Sequence, residues 1–540
     1  MKKAWDYIVV GSGAAGCIVA EQLSRDPSRR VLLLEAGARR RTPLLDIPAA
    51  ETLLLGNSHF DWCFQTQPDP TLGGRRLSIP RGRVVGGSAA INGMIYVRGQ
   101  AADFEDWVSL GCQGWGWSDV MPFYQRLESS AIAGPTRGSS GRIHVGRPRT
   151  RHQLADAFIH AGVSLGYSLN SDYNSDGQEG FGYYQVNHRR GRRSAPSNTY
   201  LIEAMRRDNL TLLTGALVDS VVLADGAARG IRCRLGNRIE TIDCEGEVVL
   251  SAGAIQSPRI LELSGIGSPD LLRNAGITVR HELPGVGENL QDHYAVRMRW
   301  RVKNPVTFND DAHGVRLARE IIKYLTQRRG MLSVPIALAH AFIGIDDKSR
   351  PDVQYHFSPA SYGAARTRRL DHQPGMTIGA YPLRPKARGS VHVASADPRQ
   401  APIIHTRFLQ SQNDLRLLIE SMKVARALIA DNAFDEFRGL ETQPGESLRT
   451  DDDLARYARE QGDTSYHPVG TCKMGVDPFA VVDTRLCVRG LQRLRVIDAS
   501  VMPVIVSGNT NAASMMIGEK GADLVASSRP SSETRLGAEE

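Results

Sequence analysis

The sequence predicts a chain of mixed α/β and α+β class. A Rossmann-like dinucleotide-binding domain is built from discontinuous segments and carries an inserted substrate domain of antiparallel sheet plus helices. Three observations predict this. Near the start, Asp6-Tyr7-Ile8-Val9-Val10 runs into Gly11-Ser12-Gly13-Ala14-Ala15-Gly16, and a second apolar run closes on Glu35. That is a strand, a glycine turn, a helix and a second strand, the unit that binds a dinucleotide. Strand-like segments ending on small residues return late, at Val248 to Gly253 and at 493–498. A chain of 540 residues is also too long for one ordinary domain.

The elements follow in order. Residues 6–10 are β-rich, and 14–24 carry Ile18, Val19 and Leu23 at helical spacing. Val31-Leu32-Leu33-Leu34 is apolar throughout, as a parallel strand buried on both faces requires. Residues 208–250 alternate as strands. The stretches 315–328 and 411–431 read as helices, 351–357 and 376–394 as strands of a second sheet, and 451–460 as another helix. Residues 493–498 form a buried strand, and 512–526 a final helix. The first domain is therefore assigned 1–155, 196–300 and 463–526, and the inserted domain 156–195 and 301–462. The polar tail 527–540 is expected to be disordered.

Composition excludes several classes. No apolar stretch is long enough to cross a bilayer, and Asp6 with the first glycines interrupts any signal-like apolar region. The seven cysteines are scattered, odd in number and lack a CxxC, so neither a zinc site nor a disulfide framework is expected. A cytoplasmic protein follows. The net charge of +8 gathers at Arg39–Arg41, Arg189–Arg193 and Arg366–Arg369. These clusters lack interleaved aromatics and nucleic-acid motifs, so they are expected to be solvated surface. No metal site and no nucleic-acid partner is predicted.

The fingerprint glycines have separate tasks. Gly11 makes the turn, Gly13 lets a pyrophosphate approach, and Gly16 allows the helix to pack on the strand. The phosphate charge then meets the helix N-terminus at Ala14 and Ala15. Glu35, 19 residues beyond Gly16, is placed to accept from a ribose hydroxyl, with Ala36 beside it. A second glycine-rich loop spans Pro80 to Gly87, where small residues let main chain come close to a ligand. The dinucleotide is not distinguished by these residues alone.

Five segments in order give the chain its resemblance. Gly82 to Asn92 is similar to the first signature of the glucose-methanol-choline (GMC) flavin oxidoreductases, with Ser88 and Ala89 a mild departure. Gly253 to Gly267 resembles the second signature. Pro284 to His293, His467 to Gly475, and Asp498-Ala499-Ser500 with Gly508-Asn509-Thr510-Asn511 are also similar to the family. The resemblance implies FAD. It places the cofactor near Arg83, Val85, Gly86, Ser88, Asn92, Gly93, Met94, Val218, Ala252, Asp498, Ala499, Asn511 and Ala512, besides the fingerprint. A helix cap is the competing role for Asp498. Members similar to choline oxidase link FAD through a histidine before the signature asparagine. Here that residue is Ile91, which implies non-covalent FAD.

The resemblance also makes His467 the proton acceptor, since a neutral imidazole near its ordinary pKa suits an alcohol at neutral pH. Asn511 is expected to hold the substrate oxygen, at the N-terminal end of a helix whose dipole faces developing negative charge. Asn509 is assigned to the turn, and Tyr466 to the pocket wall. The implied activity is oxidation of a small-molecule alcohol to an aldehyde or ketone, with electrons passing to oxygen or to a quinone or dye-type acceptor. A hydroxynitrile lyase-like enzyme is the alternative. Choline, aryl, furanic and aliphatic alcohols stay open, as do oxidase against dehydrogenase and monomer against dimer.

Overall fold

The computed structural model describes residues 4–39, 42–175, 177–305, 307–335, 337–347, 349–363 and 369–528. Two seven-stranded sheets organise it. In the first, strand Trp5–Val10 lies parallel between Val31–Glu35 and the C-terminal half of Arg238–Leu250. Leu210–Thr214 extends the sheet beyond Val31–Glu35, and Leu494–Val496 adds on the other side of Arg238–Leu250. Every residue of Val31–Glu35 is buried, as its apolar run requires. The N-terminal half of Arg238–Leu250 leaves the parallel layer and pairs antiparallel with Ala227–Leu235, which pairs with Ala216–Ala224.

Helix Ala14–Leu23 crosses from the first strand to the second and packs against the final helix Asn511–Ala526. Two glycines make these contacts possible. A Cβ on Gly16 would lie 1.9 Å from the Gly11 carbonyl oxygen, and one on Gly518 would lie 2.8 Å from the Ala15 Cα. The helix bounds agree with those read from the sequence within a residue. A single sheet thus draws on strands from 5–35, 210–250 and 494–496.

The second sheet is antiparallel, in the order Arg438–Gln443, Tyr294–Val302, Gly375–Pro382, Val353–Ser358, Ala339–Ile343, Gly180–Tyr183. One face carries Val296, Met298, Trp300, Tyr355, Phe357 and Ile378 into a core shared with helices Gln153–Ser164, Gln412–Ala430 and Asp451–Gln461. The opposite face looks toward the first domain. The expected strand 376–394 ends at Pro382, and Ser390–His392 belongs instead to a separate pair with Ile403–His405.

No described helix is long and apolar enough to cross a membrane. None of the seven cysteines is in a disulfide. The polar tail lies outside the described residues from 529 on, and Arg40, Arg41, Arg366 and Arg368 lie outside them too. One member of the arginine clusters is not solvated surface. Arg193 is buried, and its Nη1 donates to the Asn92 carbonyl and to Asn92 Oδ1, both at 2.7 Å. It ties the second glycine loop to the strands that follow, and burial pushes its pKa down to about 10.

Gly16→Ala is expected to destabilise the protein by about 1–3 kcal/mol, since the added methyl meets backbone that cannot rotate away. Thermal unfolding of the apoprotein measures it, and an unchanged midpoint would contradict the packing role.

Candidate active site

One large cavity runs from the carboxyl ends of the parallel strands to the open face of the second sheet. Val10, Leu34 and Ser251, where three parallel strands end, all line it. That is where ligands sit in open parallel sheets.

Its floor is made by two interleaved glycine loops. Gly11 has φ +100°, and a Cβ there would meet the Ser251 carbonyl oxygen at 2.5 Å. Gly87 lies so close to Gly13 that a Cβ on it would stand 2.9 Å from the Gly13 Cα, while the Gly86 N–H donates to the Ser12 carbonyl (2.9 Å). A Cβ on Gly13, by contrast, would meet nothing nearer than the Ser251 oxygen at 3.9 Å. Gly11 and Gly16 are required by the protein's own packing, whereas the space at Gly13 is left for a ligand. The helices beginning at Ala14 and Asn511 have no side-chain cap on their first N–H groups, and both first turns line the cavity. Those free donors suit anionic ligand groups.

Glu35 ends the second strand on the same wall. Its Oε2 accepts from Ser12 N–H (3.1 Å) and Ser12 Oγ (2.6 Å), and its Oε1 from Gly37 N–H (2.7 Å). Burial raises its pKa, with these hydrogen bonds opposing. Ser12 was missed by the sequence reading, although a hydroxyl between two fingerprint glycines is the signal that could have found it.

Of the sequence-selected residues, Gly11, Gly13, Ala14, Ala15, Glu35, Ala36, Ser88, Asn92, Gly93, Met94, Val218, Ala252, Asp498, Ala499, Tyr466, His467 and Asn511 line this cavity. Gly16, Arg83, Val85, Gly86 and Ala512 do not, and the reasons differ. Gly16 is packed under Gly11. The Arg83 guanidinium lies over the Trp62 ring, 4.7 Å from its centroid. Val85 and Ala512 pack in the core, and Gly86 is pressed against Ser197. Asp498 does cap, as its competing role supposed: Oδ1 accepts from Ser500 N–H (2.8 Å), while Oδ2 accepts from Gly253 N–H (2.8 Å) and Ser257 Oγ (2.5 Å).

His467 sits at the junction of the two sheets, with 9% of its surface exposed. Its backbone N–H donates to Asp292 Oδ1 (2.8 Å), and the Thr464 hydroxyl holds Asp292 Oδ2. Burial lifts the Asp292 pKa to about 6. Arg81 Nη2 fixes the preceding Tyr466 carbonyl at 2.5 Å. The imidazole itself lies in a polarised chain. His293 Nε2 is 2.9 Å from the Leu383 carbonyl, which can only accept, so that nitrogen carries the proton. Neutral His293 then has a lone pair on Nδ1, 3.0 Å from His467 Nδ1, and His467 must donate there. The remaining lone pair is on His467 Nε2, which accepts from Asn509 Nδ2–H (3.0 Å). Gln354 Nε2 in turn donates to Asn509 Oδ1 (3.2 Å), and the Tyr381 hydroxyl donates to Gln354 Oε1 (2.6 Å).

Two expectations are corrected here. Asn509 does not merely serve the turn, because its amide meets His467. Nor does His467 titrate near the ordinary value. Burial pushes its pKa well down, with His293, His356 and Arg81 adding to the shift. His293, fully buried, is held down at about 4. Asp292 and His293 were quoted in the sequence only as part of a run, and Gln354 and Tyr381 carry no sequence signal. Asn511 makes no side-chain hydrogen bond among the described residues and lines the cavity.

Family models described as GMC oxidoreductase match residues 5–295 and 385–518. The chain belongs to the GMC oxidoreductase family. It is 38% identical over 540 residues to an oxygen-dependent choline dehydrogenase of Photobacterium profundum, covering 98% of this chain and 94% of that protein. It is 36% identical over 531 residues to an alcohol dehydrogenase [acceptor] of Pseudomonas putida, covering 96% and 95%. Among solved structures it resembles pyridoxine 4-oxidase from Mesorbium loti, at TM-score 0.88, 29% identity and coverage of 97% and 100%. A formate oxidase variant of Aspergillus oryzae shares the fold, at TM-score 0.91, 24% identity and coverage of 97% and 98%.

Membership makes FAD the dinucleotide, and the cavity fits it: open space over Gly13, two uncapped helix N-termini and a buried carboxylate at the second strand end. At Gly13 the Cβ of Gly13→Val would enter that space 3.9 Å from the Ser251 carbonyl oxygen. The variant is expected to fold with a near-native apoprotein midpoint and to purify without FAD. A 1:1 flavin content would contradict the reading.

Proposed function

We propose that the protein oxidises the CH–OH group of a small alcohol to an aldehyde or ketone, with His467 as proton acceptor. The observation that carries this reading is the polarised chain from Leu383 through His293 to His467, which leaves one basic lone pair, on Nε2, facing the cavity. FAD, when bound, supplies the two-electron acceptor for the substrate carbon. The relatives are oxidoreductases by name, and the hydroxynitrile lyase alternative gains no support from them.

The alcohol hydroxyl takes the place of Asn509 Nδ2 at His467 Nε2 and donates its proton there. His467 Nδ1–H keeps donating to His293, so the ring does not turn as its charge changes. Asn511 donates to the substrate oxygen, and the N-terminal end of its helix favours negative charge on that side. Asn509, released from His467, is held in place by Gln354. Tyr466 forms the adjoining wall. The acceptor that closes the cycle is oxygen or a quinone-type molecule. Seven cysteines without a disulfide support a cytoplasmic setting. Non-covalent FAD is supported by Ile91, which lines the cavity with a side chain that forms no such bond.

His467→Ala is expected to retain FAD and to slow anaerobic flavin reduction by roughly 10²–10⁴-fold. Asn511→Ala should slow it as well. Stopped-flow reduction without oxygen reads this half-reaction alone, and near-native reduction in the His467 variant would remove that residue from the mechanism. Because the His467 pKa is lowered, the base stays unprotonated as pH falls through 6.5. Its acid limb in the reduction rate should therefore lie well below pH 6.5, and a limb centred at 6.5 or above would contradict the burial. Acid precipitation should release all FAD into the supernatant, and flavin left in the washed pellet would exclude non-covalent binding.

A further inference from the structure

The face of the second sheet that covers the cavity is decided by strand parity. In Tyr294–Val302 the residues Val296, Met298 and Trp300 enter the core, while Ala295, Arg297 and Arg299 line the cavity. Arg297 stands opposite Gly379 and Arg299 opposite Thr377. Those residues stand opposite His356 and Ser358, and all four also line the cavity. Two guanidinium groups thus share one wall, two residues apart in the strand.

Neither forms a close ion pair among the described residues; Asp371 pairs with Arg301, next on the same face, at 3.6 Å and acts on Arg299 only from farther away. Arg299 is only 9% exposed, and its buried Nε has no hydrogen-bond partner. Its Nη1 reaches only the Gly363 carbonyl, at 3.4 Å. Beside it the Tyr362 hydroxyl is also buried and unpartnered on the cavity wall. Other carboxylates of the cavity are engaged elsewhere. Glu35 serves Ser12 and Gly37, and Asp498 serves Gly253 and Ser257. Asp463 accepts from the Thr464 N–H (2.9 Å), and Glu51 acts on both Arg193 and Tyr362 without an ion pair to Arg297 or Arg299 among the described residues. A buried cation without an anion is costly, and a guanidinium fork is matched to carboxylate and phosphate oxygens.

We propose that the alcohol oxidised here carries an oxyanion group, a carboxylate or a phosphate, held by Arg297 and Arg299 with the Tyr362 hydroxyl. This rests on the alcohol-oxidation reading above and names its substrate class. A quaternary ammonium such as choline would face like charge at Arg297 and Arg299. The geometry leaves room for the rest of the molecule. Arg297 and His356 are two strand spacings apart, about 10 Å between Cα atoms. From His356 the rings continue through Tyr381 (5.3 Å) to His467 (6.0 Å). The anionic group therefore sits several bonds from the hydroxyl.

The test is anaerobic flavin reduction by matched primary alcohols: benzyl alcohol, 4-(hydroxymethyl)benzoate, a hydroxyalkyl phosphate with its neutral diol, and choline. The anionic member of a pair should exceed its neutral partner in kcat/KM by about 10–100-fold, the worth of hydrogen bonds to a charged group. Whichever anionic arm wins identifies carboxylate or phosphate. Arg297→Ala and Arg299→Ala should collapse that ratio, and Arg297→Lys should restore part of it. As a readout apart from turnover, benzoate should perturb the flavin spectrum, with a Kd raised by a similar factor in Arg297→Ala. That variant alters a half-buried position, so the test survives if Arg299→Ala fails to fold. Preference for choline or for the neutral alcohols would overturn the anionic substrate and leave alcohol oxidation standing. A flavin that no alcohol reduces would overturn both.

Discussion

Backbone must touch backbone beneath the cavity, and that constraint governs everything above it. Gly16 lies against the Gly11 carbonyl, Gly87 against Gly13, and a Cβ on Gly82 would meet the Gly87 carbonyl carbon at 2.2 Å. These contacts lock the first helix, the first strand end and the second glycine loop into one layer. With that layer thin, the helix N-termini at Ala14 and Asn511 open onto the same space. Any side chain in the layer would either separate the helices or fill the cavity. Gly13 is the exception, because there the space belongs to the ligand.

Above this layer the site is assembled from segments far apart in the chain. His467 and Asn509 come from the C-terminal part, His293 from the start of the second sheet, and Gln354 and Tyr381 from its middle strands. One carbonyl, that of Leu383, sets the direction of the whole chain of hydrogen bonds, because it can only accept. The lone-pair nitrogen of His467 is thus fixed by a carbonyl more than eighty residues away in the chain.

The first domain was legible because its signals are local. A strand, three glycines and a helix lie within twenty residues, and an all-apolar run marks the next strand. Of the second sheet only Val353–Ser358 and Gly375–Pro382 were legible, and the central strand Tyr294–Val302 was mostly assigned to the first domain. Tyr294–Val302 pairs with segments beginning at Gly375 and Arg438, and no local pattern carries that register. Without register, Arg297 and Arg299 are only part of a basic composition, whereas with it they become one wall. Asn509 and Asn511 show the same limit. They flank Thr510 after Gly508, whose φ is +133°, and which amide turns to His467 depends on backbone angles that the sequence does not state. The lowered pKa of His467 was equally hidden, since it comes first from burial at the junction of the two sheets and then from His293, His356 and Arg81, on three separate segments.

The same neighbours that keep His467 neutral also oppose its protonation during the reaction. Arg81 acts on His467 directly, and Arg297 acts on His356 one step further along the cavity. A neutral substrate would leave that opposition intact, so each proton taken by Nε2 would add to those charges. An oxyanion seated between Arg297 and Arg299 cancels part of the field and raises the proton affinity of Nε2. The gain is larger in a dry cavity than in water, because the effective dielectric is lower. On this argument the anionic end of the substrate does more than dock. It brings the countercharge that lets a histidine of depressed pKa serve as a base.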